Sequence, residues 1–448
     1  MDKKSFASSG HLPTLVSAFL YFDVSFMAWV LFGPMTPFIA DQMHLTATQK
    51  GLLTAIPLLG GSFFRPILGL LADRIGGRRA GLTGLTLTLV PLILGWHYAT
   101  SLWHFYAIGF LLGIAGASFA VALPLAGRWY PAEHQGLAMG IAGAGNSGTL
   151  LATFFGPRLA QHFGWHFVFG LALLPILMVL AAFYLLAKSS PTKSKPKTWG
   201  QYAQLLGQGD TWRLCFLYSL TFGGFVGLAS FLSVFFNDQY HLTKVQAGDF
   251  TTVVVLSGSF LRPVGGWLAD KIGGYRLLLA LFACISVCLM VVSGLPPIII
   301  VVPMLFASMG MLGMGNGAIF QMAPQRFPTD IELITGIVGA AGGLGGFFLP
   351  SALGAFKDIS GSYGTGLMCF AGLMLGSAVL LLEFGVHWKL TWTAAALSRA
   401  QIFSYRQTAE CNRRSKECFP AAQTAFRRGS RTPLSTYTRE TPLPPANQ

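Results

Sequence analysis

The sequence predicts an all-α polytopic membrane protein of twelve transmembrane helices, arranged as two pseudo-symmetric bundles of six. Three observations predict it. Of 448 residues, 53% are hydrophobic and 10% charged, against about 25% charged in an ordinary soluble domain, too few to cover a surface in water. Twelve mostly apolar stretches approach the ~20 residues that cross a bilayer as a helix. A 19-residue segment also occurs twice: "GSFFRPILGLLADRIGGRR", Gly61–Arg79, and "GSFLRPVGGWLADKIGGYR", Gly258–Arg276, agree at 13 of 19 positions with an offset of 197.

The first six spans lie near 14–36, 50–72, 80–97, 102–126, 136–158 and 165–187. Span one is long and carries Asp23, and it lacks a small-residue cleavage site, so it reads as a helix that stays rather than a signal peptide. The polar run "AKSSPTKSKPKTWGQYAQLLGQGD", 187–210, follows the sixth span. Six more spans lie near 212–236, 246–269, 276–293, 297–320, 333–356 and 364–387. The expected organisation is a first bundle over 1–187, a linker over 188–211, a second bundle over 212–388 and a tail over 389–448. The duplicated segment falls in the second span of each bundle, as parallel six-helix repeats require. The glycine-rich strings "MGIAGAGNSGTLLATFFGP" of span five and "TGIVGAAGGLGGFFLP" of span eleven are a second echo. The tail is rich in Arg, Thr, Ser and Pro without apolar periodicity and reads as disordered.

Charge sets the expected orientation. One set of loops carries Lys3, Lys4, Arg74, Arg78, Arg79, Arg128, Lys188, Lys193, Lys195, Lys197, Lys271, Arg276 and Arg326, whereas the alternate set carries Lys50, Arg158, Lys244 and Lys357. Basic loops face the cytoplasm, so both termini are expected there, in a multi-pass cytoplasmic-membrane protein. The net charge of +14 is then that of a face beside anionic lipid and gives no reason to expect nucleic acid. Six cysteines show no metal or disulfide spacing. No metal cluster, cofactor motif or nucleophile–base constellation stands out, so neither a cofactor nor an enzyme is expected.

Arg65 lies eight residues before Asp73, about 12 Å along a helix, and so close to mid-depth in the bilayer. Arg262 lies at the matched depth. Facing lipid, each would cost at least about 2.5–3.5 kcal/mol, so both are expected to face a central cavity. Against them the spans set one deep carboxylate, Asp23, with Glu383 near the end of span twelve, where it can reach the interface. A cavity short of negative charge points to an anionic ligand, and two guanidinium forks suit a small oxyanion. These residues alone leave nitrate, nitrite, formate and phosphate open.

The segments "GLLADRIGGRR" and "GWLADKIGGYR" resemble the signature loop of the major facilitator superfamily, with Asp73, Arg79, Asp270 and Arg276 at the positions that lock and release a rocking carrier. Together, "GSFFRP", "GASFAVALPLAGRWYP", "QGLAMGIAGAGNSGT", "LYSLTFGGFVG" and "GGLGGFFLP" resemble the nitrate/nitrite porter family over residues 10–387. The resemblance implies that Arg65 and Arg262 clamp the anion. It places Asn146, Tyr218, Phe119 and Phe222 in the binding site, and it makes Gly143, Gly145, Gly148, Gly342, Gly343, Gly345 and Gly346 the glycines of two nitrate signatures. Asn146 and Tyr218 offer donors, and planar rings can enclose a planar anion. Without the resemblance, each ring alone reads as packing, Phe119 and Phe222 included. In a departure from the pattern, the second signature has Gly343 and Leu344 in place of Asn and Ser.

The expected function is transport of nitrate, and of nitrite as a second substrate, by alternating access. Two couplings fit: proton symport, with Asp23 as the titrating group, or nitrate/nitrite exchange. Another small monovalent oxyanion, or a non-transporting nitrate receptor, are the alternatives. Expected partners are the anion, protons and the lipid bilayer, and a single chain is expected to suffice.

Overall fold

The computed structural model describes residues 6–190, 199–327, 330–385 and 388. Met1–Phe384 is one compact unit. The tail expected over 389–448 lies outside the described residues.

Among the described residues twelve helical spans follow one another. In the first half they are α1 (Leu12–Met43), α2 (Ala47–Ile75), α3 (Gly77–His97), α4 (Leu102–Gly127), α5 (Ala132–Gly143, Ala144–Ser147 and Gly148–Phe163) and α6 (Trp165–Leu186). In the second they are α7 (Gly209–Tyr240), α8 (Lys244–Ile272), α9 (Gly274–Ser293), α10 (Ile298–Arg326), α11 (Leu333–Ser360) and α12 (Tyr363–Gly385). Eleven are long and apolar enough to cross a membrane as single stretches. The exception is α5.

The sequence reads α5 as continuous, but its middle tightens into a 3₁₀ turn over Ala144–Ser147. The cause is close packing. A side chain at Gly148 would overlap the main-chain oxygen of Asp23, and one at Gly145 would press on the Asp23 nitrogen and Phe22. Glycines let α1 lie directly on α5, and their weak helix preference allows the turn there.

The duplication runs further back than the 19-residue segment. Thr46 and Thr243, 197 apart, each accept from the backbone N–H of Gln49 or Gln246, whose side chain returns the bond. Such capping boxes start α2 and α8 at equivalent places. Just before them, His44 and His241 both adopt φ 51°. After each helix, Gly76 and Gly273, at φ 87° and 90°, make the turn into α3 and α9, a conformation that favours glycine.

The linker expected over 188–211 is partly structured. It holds a short helix, Trp199–Leu206, and α7 begins at Gly209. Thr211 Oγ1 donates to Leu205 O at 2.7 Å, and Trp212 Nε1 to Leu206 O at 2.7 Å. Asp210, read as linker, is buried and pairs with Arg213 and Arg326.

α7 is the most enclosed span, with 94% of its most apolar stretch buried. Large apolar side chains such as Phe155, Phe163, Met178, Leu185 and Ile299 point outward, as a lipid-facing exterior requires.

The two halves are tied at the end away from the basic loops. Lys50 pairs with Asp238, Arg158 with Asp249, and Lys244 with Asp41. Asp358 of α11 caps the first turn of α2, accepting from Ala47 N at 3.1 Å and Thr48 N at 2.8 Å. Gly51 and Gly248, again 197 apart, let α2 and α8 touch main chain of the opposite half, at Pro350 and Thr153. A cavity of about 270 Å³ runs the other way, from Arg65 to Asp73, Arg128 and Tyr202 at the basic end.

Candidate functional site

Each arginine precedes a proline, Pro66 or Pro263, and proline disfavours helix in the residue before it. In α8 this effect is visible, since the helix breaks at Leu261 and restarts at Arg262. α2 passes through without a break, and Arg65 turns into the interior, 2% exposed.

Arg65 Nε donates to Gly116 O of α4 at 3.1 Å, and its Nη1 donates to Gly339 O of α11. Its Nη2 is buried with no partner, as is Nη1 of Arg262. The Tyr218 hydroxyl reaches the Arg262 guanidinium and lies in the field of both arginines. These unpaired donors converge where a buried guanidinium would ordinarily meet an acceptor.

Aromatic rings enclose them. The Arg65 guanidinium carbon stands 5.1 Å from the Trp29 ring, 5.1 Å from Phe222 and 5.5 Å from Phe119. Phe119 also lies 5.8 Å from the Arg262 carbon, and Phe320 lies 5.5 Å from it. Tyr218 stacks on Phe222 at 5.2 Å and 8°, and meets Phe320 edge-on at 4.9 Å. A positive pair held within π faces is stabilised by them, and burial of Arg65 in a low-dielectric setting strengthens its pull on an anion.

The structure thus brings Arg65, Arg262, Tyr218, Phe119 and Phe222 together. Two residues were not anticipated, Phe320 and Trp29. Phe320 had a readable signal: "FAVALP" in span four and "FQMAP" in span ten both set a phenylalanine shortly before a proline. Trp29 is fixed by its Nε1 donating to Pro57 O at 2.6 Å. No feature of its sequence neighbourhood separates it from a packing tryptophan.

Asn146 is fully buried in the 3₁₀ turn. In the orientation that satisfies its surroundings, its amide donates to Gly143 O and Ala144 O at 3.2 Å, so in this state it holds its own turn. Asp23 is also held by α5: Ser147 Oγ donates to Asp23 Oδ1 at 2.6 Å, and the Gly148 N–H bonds the carboxylate. Among the described residues no salt bridge reaches it.

The signature glycines divide by what they touch. Gly143 lies beside Arg262, Gly342 beside Tyr218 and Phe222, and Gly343 beside Ser62. Gly145 and Gly148 admit α1, Gly345 admits the main chain of α7 at Ser219, and Gly346 lies against Val226 and Leu58. Since Arg65 meets Gly339 and Arg262 meets Gly143, "GIVGA" at 336–340 matches "GIAGA" at 140–144. That register puts Gly342, not Gly343, opposite Asn146.

At the basic end the two loops differ. Asp73 faces Arg128 at 3.7 Å, but Arg326, the counterpart of Arg128, pairs with Asp210. Asp270 has no salt bridge among the described residues, and neither do Arg79 and Arg276.

Residues 18–350 match the Major Facilitator Superfamily. The chain is 34% identical over 361 residues to the "Nitrite extrusion protein" of Bacillus subtilis, covering 80% of this chain and 90% of that one. It is 33% identical over 380 residues to the "Probable nitrate/nitrite transporter NarK2" of Mycobacterium tuberculosis, covering 82% and 94%. Among solved structures it resembles the xylose transporter XylE of E. coli in a partially occluded inward-open conformation, with TM-score 0.69 at 16% identity, over 84% of this chain and 98% of that one.

Proposed function

Because this chain belongs to the nitrate/nitrite porter family of the Major Facilitator Superfamily, we propose that it carries nitrate, and nitrite as a second substrate, across the cytoplasmic membrane by alternating access. The observation that carries the reading is the pair of unpaired guanidinium nitrogens, Arg65 Nη2 and Arg262 Nη1, buried beside the Tyr218 hydroxyl. A planar monovalent anion supplies acceptors for all of these donors and fits between the rings of Phe119, Phe222 and Phe320. Asn146 supports the site by shaping the α5 turn beside Arg262.

The conformation is inward-facing in this reading. Positive-inside placement puts the basic end in the cytoplasm, the cavity leads there, and the halves are tied at the outer end by Lys50–Asp238, Arg158–Asp249 and Lys244–Asp41. Turnover breaks these ties while the Asp73, Arg79, Asp270 and Arg276 loops close the inner end. One chain holds both arginines, so a monomer suffices. Coupling is either to protons through Asp23 or to counter-transport of nitrite.

The test is counterflow with purified protein in vesicles loaded with nitrate, labelled nitrate outside, and nitrite, formate or phosphate as competitors. Saturable nitrate counterflow, competed best by nitrite, is expected. Its absence in correctly inserted protein, or preference for another oxyanion, overturns the assignment.

A further inference from the structure

The two arginines of the repeat each have a serine three residues earlier, Ser62 before Arg65 and Ser259 before Arg262. The two pairs differ in what they bond. Ser62 Oγ donates to Ala340 O of α11 at 2.9 Å, and Arg65 Nη1 donates to the adjacent Gly339 O. These bonds join the two halves at mid-depth. Ser259 Oγ and Arg262 Nη1 are buried and unpartnered. The matching carbonyls in α5, Gly143 O and Ala144 O, accept from the Asn146 amide. In α11 the residue matched to Asn146 is Gly342, which has no side chain to cap the carbonyls, so they stay open to the other half.

We infer that Ser62 is a positioning residue that holds the carrier in the facing state seen here. In that state Arg65 and Ser62 both bond α11 main chain. An arriving anion competes with Gly339 O for Arg65, because a full negative charge is the stronger acceptor for a guanidinium, and the tie is reduced to the Ser62 bond. α2 and α11 meet at Gly51–Pro350, at Ser62–Ala340 and at Gly354–Ala47, so rocking one half past the other strains these bonds. The loaded carrier therefore reorients more readily than the empty one, which favours exchange over net flux. Asymmetry between the halves follows: Ser259, bonding nothing, has no such effect.

This inference rests on the nitrate-carrier reading, and its test keeps the two apart. Full-length protein in vesicles is assayed for nitrate exchange, with nitrate on both sides, and for net nitrate efflux into nitrate-free buffer, which requires the empty carrier to return. Ser62→Ala is expected to raise the ratio of net efflux to exchange about three- to ten-fold, the scale of one lost hydrogen bond. Ser259→Ala should leave the ratio unchanged. A purely structural role for Ser62 would lower both fluxes together and leave the ratio alone. Should Ser62→Ala fail to insert, Ser62→Cys keeps the volume, weakens the donor and carries the same expectation. An unchanged ratio, or an equal rise in the Ser259 variant, overturns the inference while wild-type exchange stands. Absence of wild-type nitrate exchange overturns the carrier reading instead.

Discussion

Lys50 of α2 donates to both carboxylate oxygens of Asp238 of α7, at 2.9 and 2.8 Å, and so bridges the two halves at the end away from the basic loops. Tyr363 holds the same carboxylate at 2.9 Å. The four cations that sequence analysis assigned to this end all bond there: Lys50, Arg158 and Lys244 in cross-half ion pairs, and Lys357 to Gly361 O.

This bridge yields the first prediction. A part-buried pair of this kind, discounted for solvent screening, contributes about 0.5–1 kcal/mol, a shift of roughly two- to five-fold in a two-state population. Lys50→Asp or Asp238→Lys, which also adds repulsion, should move the ensemble toward the state open at that end. Distances between spin labels on the ends of α2 and α7 should lengthen in each single variant and return in Lys50→Asp/Asp238→Lys. An unmoved distance distribution would take the pair out of the gate.

The second prediction concerns the clamp. Arg65 bonds Gly116 and Gly339 with two nitrogens and keeps a third for a ligand, which an ammonium on a flexible stem cannot reproduce. Arg65→Lys and Arg262→Lys should each lower nitrate affinity by about ten- to a hundred-fold, the scale of a hydrogen bond to a charged group, while the protein stays monodisperse. Calorimetric titration measures this, and near-normal affinity in folded Lys variants would remove the clamp.

The arginines were legible in the sequence because duplication marked them, and two costly charges at one depth do not arise from packing. The ring box was legible only in part. Among 37 phenylalanines, residue type alone cannot tell Phe320, over Arg262, from one that packs against lipid. The break in α5 was hidden for a different reason. Glycine runs signal close approach, but where α1 crosses α5 is a tertiary fact. Likewise, Asp210 reads as linker until Arg326 arrives from α10.

The ring box gives a third prediction. Tyr218→Phe keeps the 5.2 Å stack on Phe222 and removes the hydroxyl between the arginines. It should weaken nitrate binding about three- to ten-fold without loss of folded protein. Phe320→Ala should weaken it too, through loss of the ring beside Arg262. Unchanged affinity in Phe320→Ala would return that residue to plain packing.

A fourth prediction separates packing glycines from site glycines. An added methyl at Gly148 collides with the main-chain oxygen of Asp23, and neither backbone can easily yield. Overpacking of this kind costs about 1–3 kcal/mol or more, so Gly148→Ala should lower the melting temperature of the purified protein. At Gly143 the nearest atoms are Leu123 Cδ2 at 3.9 Å and Arg262 Cζ at 4.0 Å, ordinary contacts. Gly143→Ala should melt like wild type. Equal melting of the two variants would contradict the crossing of α1 over α5.

The last prediction concerns coupling. Asp23 is bonded to the Ser147 hydroxyl and the Gly148 N–H, the two residues that follow Asn146. Both partners donate to the carboxylate, and no cation pairs with it among the described residues. A proton arriving there neutralises the carboxylate and adds positive potential beside the anion site, which draws nitrate in. Loss of the proton on the inner side reverses the effect. As a hypothesis, proton and nitrate then move together, with Asp23 as the group that titrates. The competing account leaves Asp23 as a fixed structural acceptor for α5 and assigns coupling to exchange with nitrite. Asp23→Asn separates them, since the amide oxygen still accepts from Ser147 but the side chain cannot ionise. Under proton coupling, accumulation driven by a pH gradient should disappear in this variant while nitrate/nitrite counterflow continues. Proton-driven accumulation at the wild-type level would make Asp23 structural and exchange the working mode.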